Sequence, residues 1–281
     1  MIEGKPSRTA LAVAGLRAAH QVIEGGAIFS DPLALRIVGE QNLLALQEQL
    51  AGGDMLAPVR LSVAARARAG EDALAEAAGR GVGQLVVLGA GLDSFAYRNP
   101  FGARLRVFEV DHPATQAWKL QLLEAANIAV PDAVRHVAVD FEAERFVPAL
   151  VAAGFNPGQP SFVIWLGVVY YLSEAAMFAT VRDIAALPGG AAMVLDYLEP
   201  VQAMNSGMQN VTADIAKRVA LAGEALVTFF SPAELHSKLE AAGFEIVSDR
   251  AMTALALEYM PEAVLPGDSG AAHVLVIKTK G

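Results

Sequence analysis

From Gln84 to Leu198 the chain alternates short runs of β-branched and aromatic residues with amphipathic stretches of helical length, and this rhythm limits the fold more than any other feature. The runs fall near residues 84–89, 106–111, 135–140, 161–167 and 191–198; the helical stretches between them fall near 112–126, 142–153 and 173–187. Successive strands joined by a crossover helix run in the same direction within one sheet. The expectation is an α/β architecture, a doubly wound and mostly parallel sheet with helices on both faces.

The flanks read differently. Residues 8–24, 32–50 and 58–80 predict helices: the second follows Ser30-Asp31-Pro32, a cap with proline in the first turn, and the third stops at Gly79 and Gly81. They form a helical lead-in, residues 1–82, before a sheet domain over 83–281. Within that domain, 199–228 predicts a helical insertion. SPAELHSKLEAAGFEIVSDR then predicts a helix capped at Ser231 and stopped at Gly243, followed by a strand. Residues 251–270 read as a loop whose Pro- and Gly-bearing half turns the last strand, 271–279, antiparallel.

The first strand runs into Gly89-Ala90-Gly91, where missing side chains let a ligand approach the backbone and helix-terminal N–H groups favour polar or negative ligand groups. Twenty residues past Gly91, at the carboxyl end of the second strand, stands Asp111, spaced to accept hydrogen bonds from ribose hydroxyls. Together they indicate an adenosine-type ligand, and at this point NAD and S-adenosylmethionine both remain open. Against NAD, the sixth position of the dinucleotide pattern is Ser94 instead of Gly or Ala, and little chain is left for a dehydrogenase catalytic domain. The third strand ends in Asp140-Phe141, a carboxylate suited to an adenine amino group and a ring suited to cover the base. The fourth ends in WLGVVYYL, where Gly167 permits close approach and Trp165, Tyr170 and Tyr171 are placed to line a substrate cavity.

The balance of 21 Lys and Arg against 30 Asp and Glu, a net charge of −9, disfavours nucleic acid as a partner, because phosphate neutralisation needs clustered cations. With no cysteine, thiolate nucleophiles, disulfides and zinc–thiolate sites are excluded. The longest apolar remnant, FVIWLGVVYYL, has 11 residues, against the ~20 a spanning helix needs. The opening residues carry Glu3 and only a short apolar patch before Arg17, unlike a secretory leader, so a soluble, cytoplasmic protein with a small-molecule substrate is expected.

The ordered set PSRTALAVAGLRA (6–18), VVLGAGLDSFAYR (86–98), FEVDHPATQAWK (108–119), VDF (139–141), WLGVVYYL (165–172) and SPAELHSKLEAAGFEI (231–246) resembles the leucine carboxyl methyltransferase superfamily. More narrowly, it is similar to the bacterial branch with tetracenomycin-type polyketide O-methyltransferases. The resemblance implies the class I methyltransferase fold, Rossmann-like with an antiparallel last strand and an N-terminal helical cap, and S-adenosyl-L-methionine as cofactor. It implies that Gly89, Ala90 and Gly91 border the methionine part, Asp111 with His112 the ribose, and Asp140 with Phe141 the adenine. Of the two arginines in AARARAGEDAL, Arg66 is favoured over Arg68 for the cofactor carboxylate, since a planar guanidinium matches it bidentately. Arg8 would stand at the cavity mouth. Two departures stand out: many relatives have Glu where this chain has Leu166, at the cofactor edge, and Ala67, Ala69 and Gly70 replace bulkier residues beside Arg66.

Transfer from a sulfonium needs no metal, because the electrophile is already activated and the protein's task is to hold the acceptor in line. None of His20, His112, His136, His236 and His273 reads as a base, so no catalytic residue is assigned and the balance tilts toward a carboxylic or acidic acceptor. The lead-in helices, 198–228 and 251–270 are rich in Ala, Leu, Val and Met, which predicts an apolar pocket and a hydrophobic metabolite. Two alternatives accompany this reading: an NAD-dependent oxidoreductase, and a protein of the same fold whose activity is lost or redirected, for example to cyclisation, with Leu166 as its motive.

Overall fold

A computed structural model describes residues 6–39, 56–141, 144–221, 223–265 and 271–280. Seven strands, β1 (Gln84–Leu88), β2 (Arg106–Asp111), β3 (Val134–Ala138), β4 (Ser161–Trp165), β5 (Ala191–Leu198), β6 (Phe244–Ala251) and β7 (Ala272–Thr279), form one sheet in the order β3-β2-β1-β4-β5-β7-β6. The first five pair in parallel, and β7 alone is inverted, sliding antiparallel between β5 and β6. The order reverses between β1 and β4. Their carboxyl ends therefore diverge into a crevice, the place where open α/β sheets bind ligands.

Alternate residues along each central strand point to opposite faces and feed separate cores. Val86, Phe108, Val163, Met193 and Leu275 meet Phe146, Met177, Val181 and Leu235 on one side. Leu85, Val107, Phe162, Val194 and Val274 meet Leu61, Ala65, Leu74 and Ala77 of a long helix on the other. These parallel strands are buried on both faces, which is why they read as continuous apolar runs instead of alternating ones.

The lead-in contains α1 (Arg8–Ile23), α2 (Ala34–Val38) and α3 (Ala57–Gly79). Asp31 starts α2 as expected, its carboxylate accepting from the N–H groups of Leu33 and Ala34 while Arg17 holds its other oxygen at 3.1 Å. Residues 40–50 of the helix predicted over 32–50 lie outside the described residues. Ala14, Ala18, Ile37 and Leu92 form a third apolar cluster that lays α1 over the glycine loop. After β1 come α4 (Phe95–Arg98), α5 (Pro113–Ala125), α6 (Phe146–Ala152) and α7 (Glu174–Ala185). The insertion is a short 3-10 turn, Val201–Ala203, and α8 (Ser206–Leu221); α9 (Pro232–Ala241) follows with the predicted Ser231 cap and a left-handed Gly243.

One segment differs from expectation. Residues 251–270 do not form a plain loop: Met252–Tyr259 is a helix, α10, packed on α3. Met252, Leu255 and Ala256 fall at helical spacing and bury completely in the second core, so tertiary packing decides a segment with no capping signal of its own. Among the described residues no helix is long and apolar enough to cross a membrane.

Candidate active site

The carboxyl ends of β1, β2 and β4, the turn after β3, the start of α1 and residues 223–227 enclose a cavity of about 660 Å³. That volume is typical of small-molecule and cofactor sites. Its floor is the glycine loop. Gly89 (φ 65°) and Gly91 (φ 45°) are left-handed, and a Cβ on Gly89 would lie 2.4 Å from Cγ2 of Val168, while one on Gly91 would lie 3.2 Å from Cβ of Ala10. Only glycine lets the β4 turn and α1 close so tightly on this loop. Asp93 turns the loop into α4 by accepting from Phe95 N at 2.8 Å.

Asp111 ends β2 with its side chain buried at the cavity wall. One carboxylate oxygen accepts from Gly91 N and the other from His112 N, so the acid is fastened to the loop it serves. Burial raises its pKa to about 6, a rise that the two backbone N–H bonds oppose but do not cancel. His112 caps α5, its Nδ1 accepting from Ala114 N at 3.2 Å, and it too lines the cavity. Asp140 and Phe141 lie just beyond β3 in the same wall, with the Phe141 ring 6.3 Å from that of Phe146.

Arg66 projects from α3 into the opposite wall. Its Nη1 donates to Asp196 Oδ2 at 2.7 Å and to the Tyr170 hydroxyl at 3.0 Å, and Asp196 also accepts from Gly167 N at 2.6 Å. Burial works against the guanidinium charge, but Tyr170 and Asp196 outweigh it and its pKa is raised, so Arg66 is a fixed cation. Among the described residues the hydrogen bonds of its five donors use only Nη1, leaving the planar edge available. A Cβ on Gly167 (φ 78°) would sit 2.8 Å from Arg66 Nη2, so the left-handed glycine lets the guanidinium lie against the β4 turn. Arg68 points elsewhere, stacking 4.2 Å above the Tyr259 ring on α10.

Of the other positions singled out in the sequence, Leu166 and Tyr171 line the cavity. Burial raises the Tyr171 pKa to about 12. Tyr170 lies behind the wall as the partner of Arg66, and the Arg8 side chain is exposed and off the wall. The expected contribution of 251–270 to the pocket is not found among the described residues: no described residue of 251–265 lines it. Leu166 meets the other departure directly, since a Cβ on Gly70 would lie 3.0 Å from its Cδ1.

Several wall residues were given no role by the sequence. Glu224, in the segment after α8, is buried and accepts from the Ser7 hydroxyl (3.1 Å), Arg8 N (3.1 Å) and the Thr9 hydroxyl, clasping the start of α1 across the cavity. Arg17 is buried between Asp31 and the Leu92 carbonyl, 2.6 Å away, and Glu71 forms an ion pair with Arg98. The one sequence cue to Glu224 is its isolation, a lone acid in AGEALVTFF.

Comparison with known proteins bears on the family and the fold. The signature of the family described as leucine carboxyl methyltransferase matches residues 10–185. A Bacillus subtilis protein assigned by name to the S-adenosyl-L-methionine-dependent methyltransferases is 29% identical over 270 residues, covering 88% of each chain. Two solved structures share the fold. One, from Thermobifida fusca and assigned by name to the methyltransferases, has a TM-score of 0.61 at 17% identity and covers 100% of this chain and 97% of its own. The other is magnesium protoporphyrin IX methyltransferase from Synechocystis PCC 6803 with bound S-adenosylhomocysteine, with a TM-score of 0.51 at 13% identity over 95% of this chain and 100% of its own.

Proposed function

The chain belongs to the leucine carboxyl methyltransferase family, and from that premise we propose that this S-adenosylmethionine-dependent methyltransferase is an O-methyltransferase of a small, hydrophobic metabolite. The observation that carries the reading is Asp111. A buried carboxylate has four lone-pair positions; Gly91 N and His112 N take two, and two remain for a vicinal diol such as a ribose. The glycine cradle fits the same ligand, because any side chain on Gly89 would occupy the space where backbone and ligand meet.

In this reading Gly89, Ala90 and Gly91 border the methionine part, His112 edges the ribose, and Asp140 with Phe141 takes the adenine. The free edge of Arg66 receives the methionine carboxylate, and Leu166 packs beside it. The bound cofactor supplies an electrophilic methyl. The protein holds the acceptor oxygen in line with it and excludes water, with the cap of residues 1–82 closing over the sheet domain of 83–281. Val13, Val168, Leu172 and Val227 give the rest of the wall an apolar stretch, which suits a polyketide-like acceptor of secondary metabolism handled in the cytoplasm.

The test is direct. Calorimetry should show S-adenosylhomocysteine binding and no NAD binding, and incubation with S-adenosylmethionine and hydrophobic aromatic hydroxyl and carboxyl compounds should add one methyl mass to oxygen. Binding of NAD alone, or methylation confined to nitrogen or carbon, would overturn the reading.

A further inference from the structure

We propose that the methyl acceptor is a hydroxyl group, and that the Glu224 carboxylate takes its proton during transfer. The inference rests on the O-methyltransferase reading and narrows its substrate class. Once the glycine loop, Asp111, His112, Asp140, Phe141 and Arg66 are given to the cofactor, and Arg17, Glu71 and Asp93 are set aside as held by neighbouring protein groups, the described polar wall that remains is Ser7, Thr9, Tyr171 and Glu224. Ala10 sits against Gly91 and Val168 against Gly89, so this wall faces the loop that holds the methionine end.

Charge decides between acceptor classes. Among the described residues two arginines line the cavity, and both are engaged: Arg17 by Asp31 and the Leu92 carbonyl, Arg66 by Asp196 and, in the proposed complex, by the cofactor carboxylate. A carboxylate acceptor would enter beside Glu224 with no further lining cation among the described residues to offset like-charge repulsion and its own desolvation. A hydroxyl acceptor meets the opposite situation. Glu224 is held by neutral donors, the Ser7 and Thr9 hydroxyls and Arg8 N, which take three of its four lone-pair positions. The fourth can accept one more O–H.

The step balances without a further reactant. The acceptor oxygen forms its bond to the methyl carbon as the carbon–sulfur bond breaks, and that electron pair stays on sulfur. The hydroxyl proton passes to Glu224, leaving a methyl ether, a neutral thioether and a protonated carboxyl. The other titratable groups in the cavity are Glu71, Asp93, Asp111, His112, Asp140 and Tyr171. Glu71 pairs with Arg98, Asp93 and His112 accept from local backbone N–H groups, and Asp111 and Asp140 stand on the adenosine side. Burial raises the Tyr171 pKa, which makes its hydroxyl a donor instead of a base.

The test uses the full chain with S-adenosylmethionine and three probes, 2-naphthol, 2-naphthoic acid and 4-nitrophenol, the last already ionised at mildly alkaline pH. The expected product is methyl ether from the hydroxyl compounds and no methyl ester from the acid. Glu224→Gln should lower kcat on 2-naphthol by about 100-fold or more, while the loss on ionised 4-nitrophenol stays under about tenfold, because that acceptor has no proton to give. S-adenosylhomocysteine affinity of the variant should match wild type. Methyl ester formation, absence of ether from either hydroxyl compound by a cofactor-binding enzyme, or an equal loss on both hydroxyl compounds in Glu224→Gln would overturn the proposal, the last by reducing Glu224 to a clasp on α1. Failure of the wild-type protein to bind S-adenosylhomocysteine at all would instead sink the O-methyltransferase reading.

Discussion

Replacing Asp111 with asparagine separates the stability of the fold from the binding of cofactor. In the free protein the folded pKa of Asp111, about 6, stands about 2 units above its ordinary 3.8. A raised carboxylate pKa means that the folded state holds the proton more tightly than the unfolded one, so stability falls as pH rises from about 4 to about 6 and is flat above. At neutral pH, burying this charge therefore costs about 3 kcal/mol. Asparagine removes that cost but has one acceptor oxygen for two N–H groups, Gly91 N and His112 N, and orphaning one of them costs about 1–3 kcal/mol. Asp111→Asn should thus melt no lower than wild type at pH 7.5. Binding behaves differently: two ribose hydroxyls on a carboxylate contribute about 1.5–3 kcal/mol each, so affinity should fall by at least about 100-fold. Calorimetric titration with S-adenosylhomocysteine from pH 5 to 8 reads both effects. Wild-type affinity should weaken about tenfold per pH unit below about 6, as protonation removes the acceptor, and the variant should lack that slope. Wild-type-like affinity in Asp111→Asn, or the same slope in both proteins, would refute the assignment of Asp111 to the ribose.

Three other perturbations test the surrounding frame. Gly89→Ala adds a Cβ that meets Val168 at 2.4 Å in a left-handed backbone, and should lower stability by about 2–4 kcal/mol in denaturant unfolding; adding Val168→Ala should restore the steric part alone. Arg66→Ala leaves Asp196, 0% exposed, without its cation, and should cost about 3–5 kcal/mol. Arg66→Met with Asp196→Leu should regain most of that stability in thermal melts and still fail to bind S-adenosylhomocysteine. At the far edge of the sheet, His273 bridges Asp249 and Glu199, both at 2.8 Å, while Tyr197 and His236 donate to the other Asp249 oxygen. Burial opposes its charge, but the two carboxylates prevail and the His273 pKa rises above 6.5; burial also opposes the Asp249 charge, and its hydrogen bonds hold that pKa below 3.8. The cluster should therefore stabilise fully between about pH 4 and 6.5, weakening above as His273 deprotonates and in stronger acid as Asp249 protonates. The melting difference between wild type and His273→Gln should be largest in that window.

What the residues disclosed follows the range over which each interaction acts. The strands and their order of appearance were legible because β-branched runs and glycine stops are local signals, and Gly91 and Asp111 because both lie in one β-α-β unit. The strands end one or two residues short of the predicted limits, β3 at Ala138 and β4 at Trp165, because Asp140, Phe141 and Leu166 leave the ladder to form the cavity rim. Arg66 meets Asp196 across 130 positions and Glu224 meets Ser7 across 217, and no spacing rule marks such pairs. Counting apolar residues in 198–228 predicted an apolar pocket, yet that segment also places a buried carboxylate, Glu224, in the cavity wall. The same limit hid a coupling. Leu166 and Gly70 stood out in the sequence as separate departures, a lost polar group in one motif and a lost side chain in another, whereas in the folded chain Leu166 Cδ1 lies 3.0 Å from where a Gly70 Cβ would be. Leucine branches at Cγ and needs the space that a Cβ on α3 would narrow, so the two changes compensate at a single contact. The cavity wall is apolar at Leu166, and its buried charged groups include Arg66, Asp111 and Glu224.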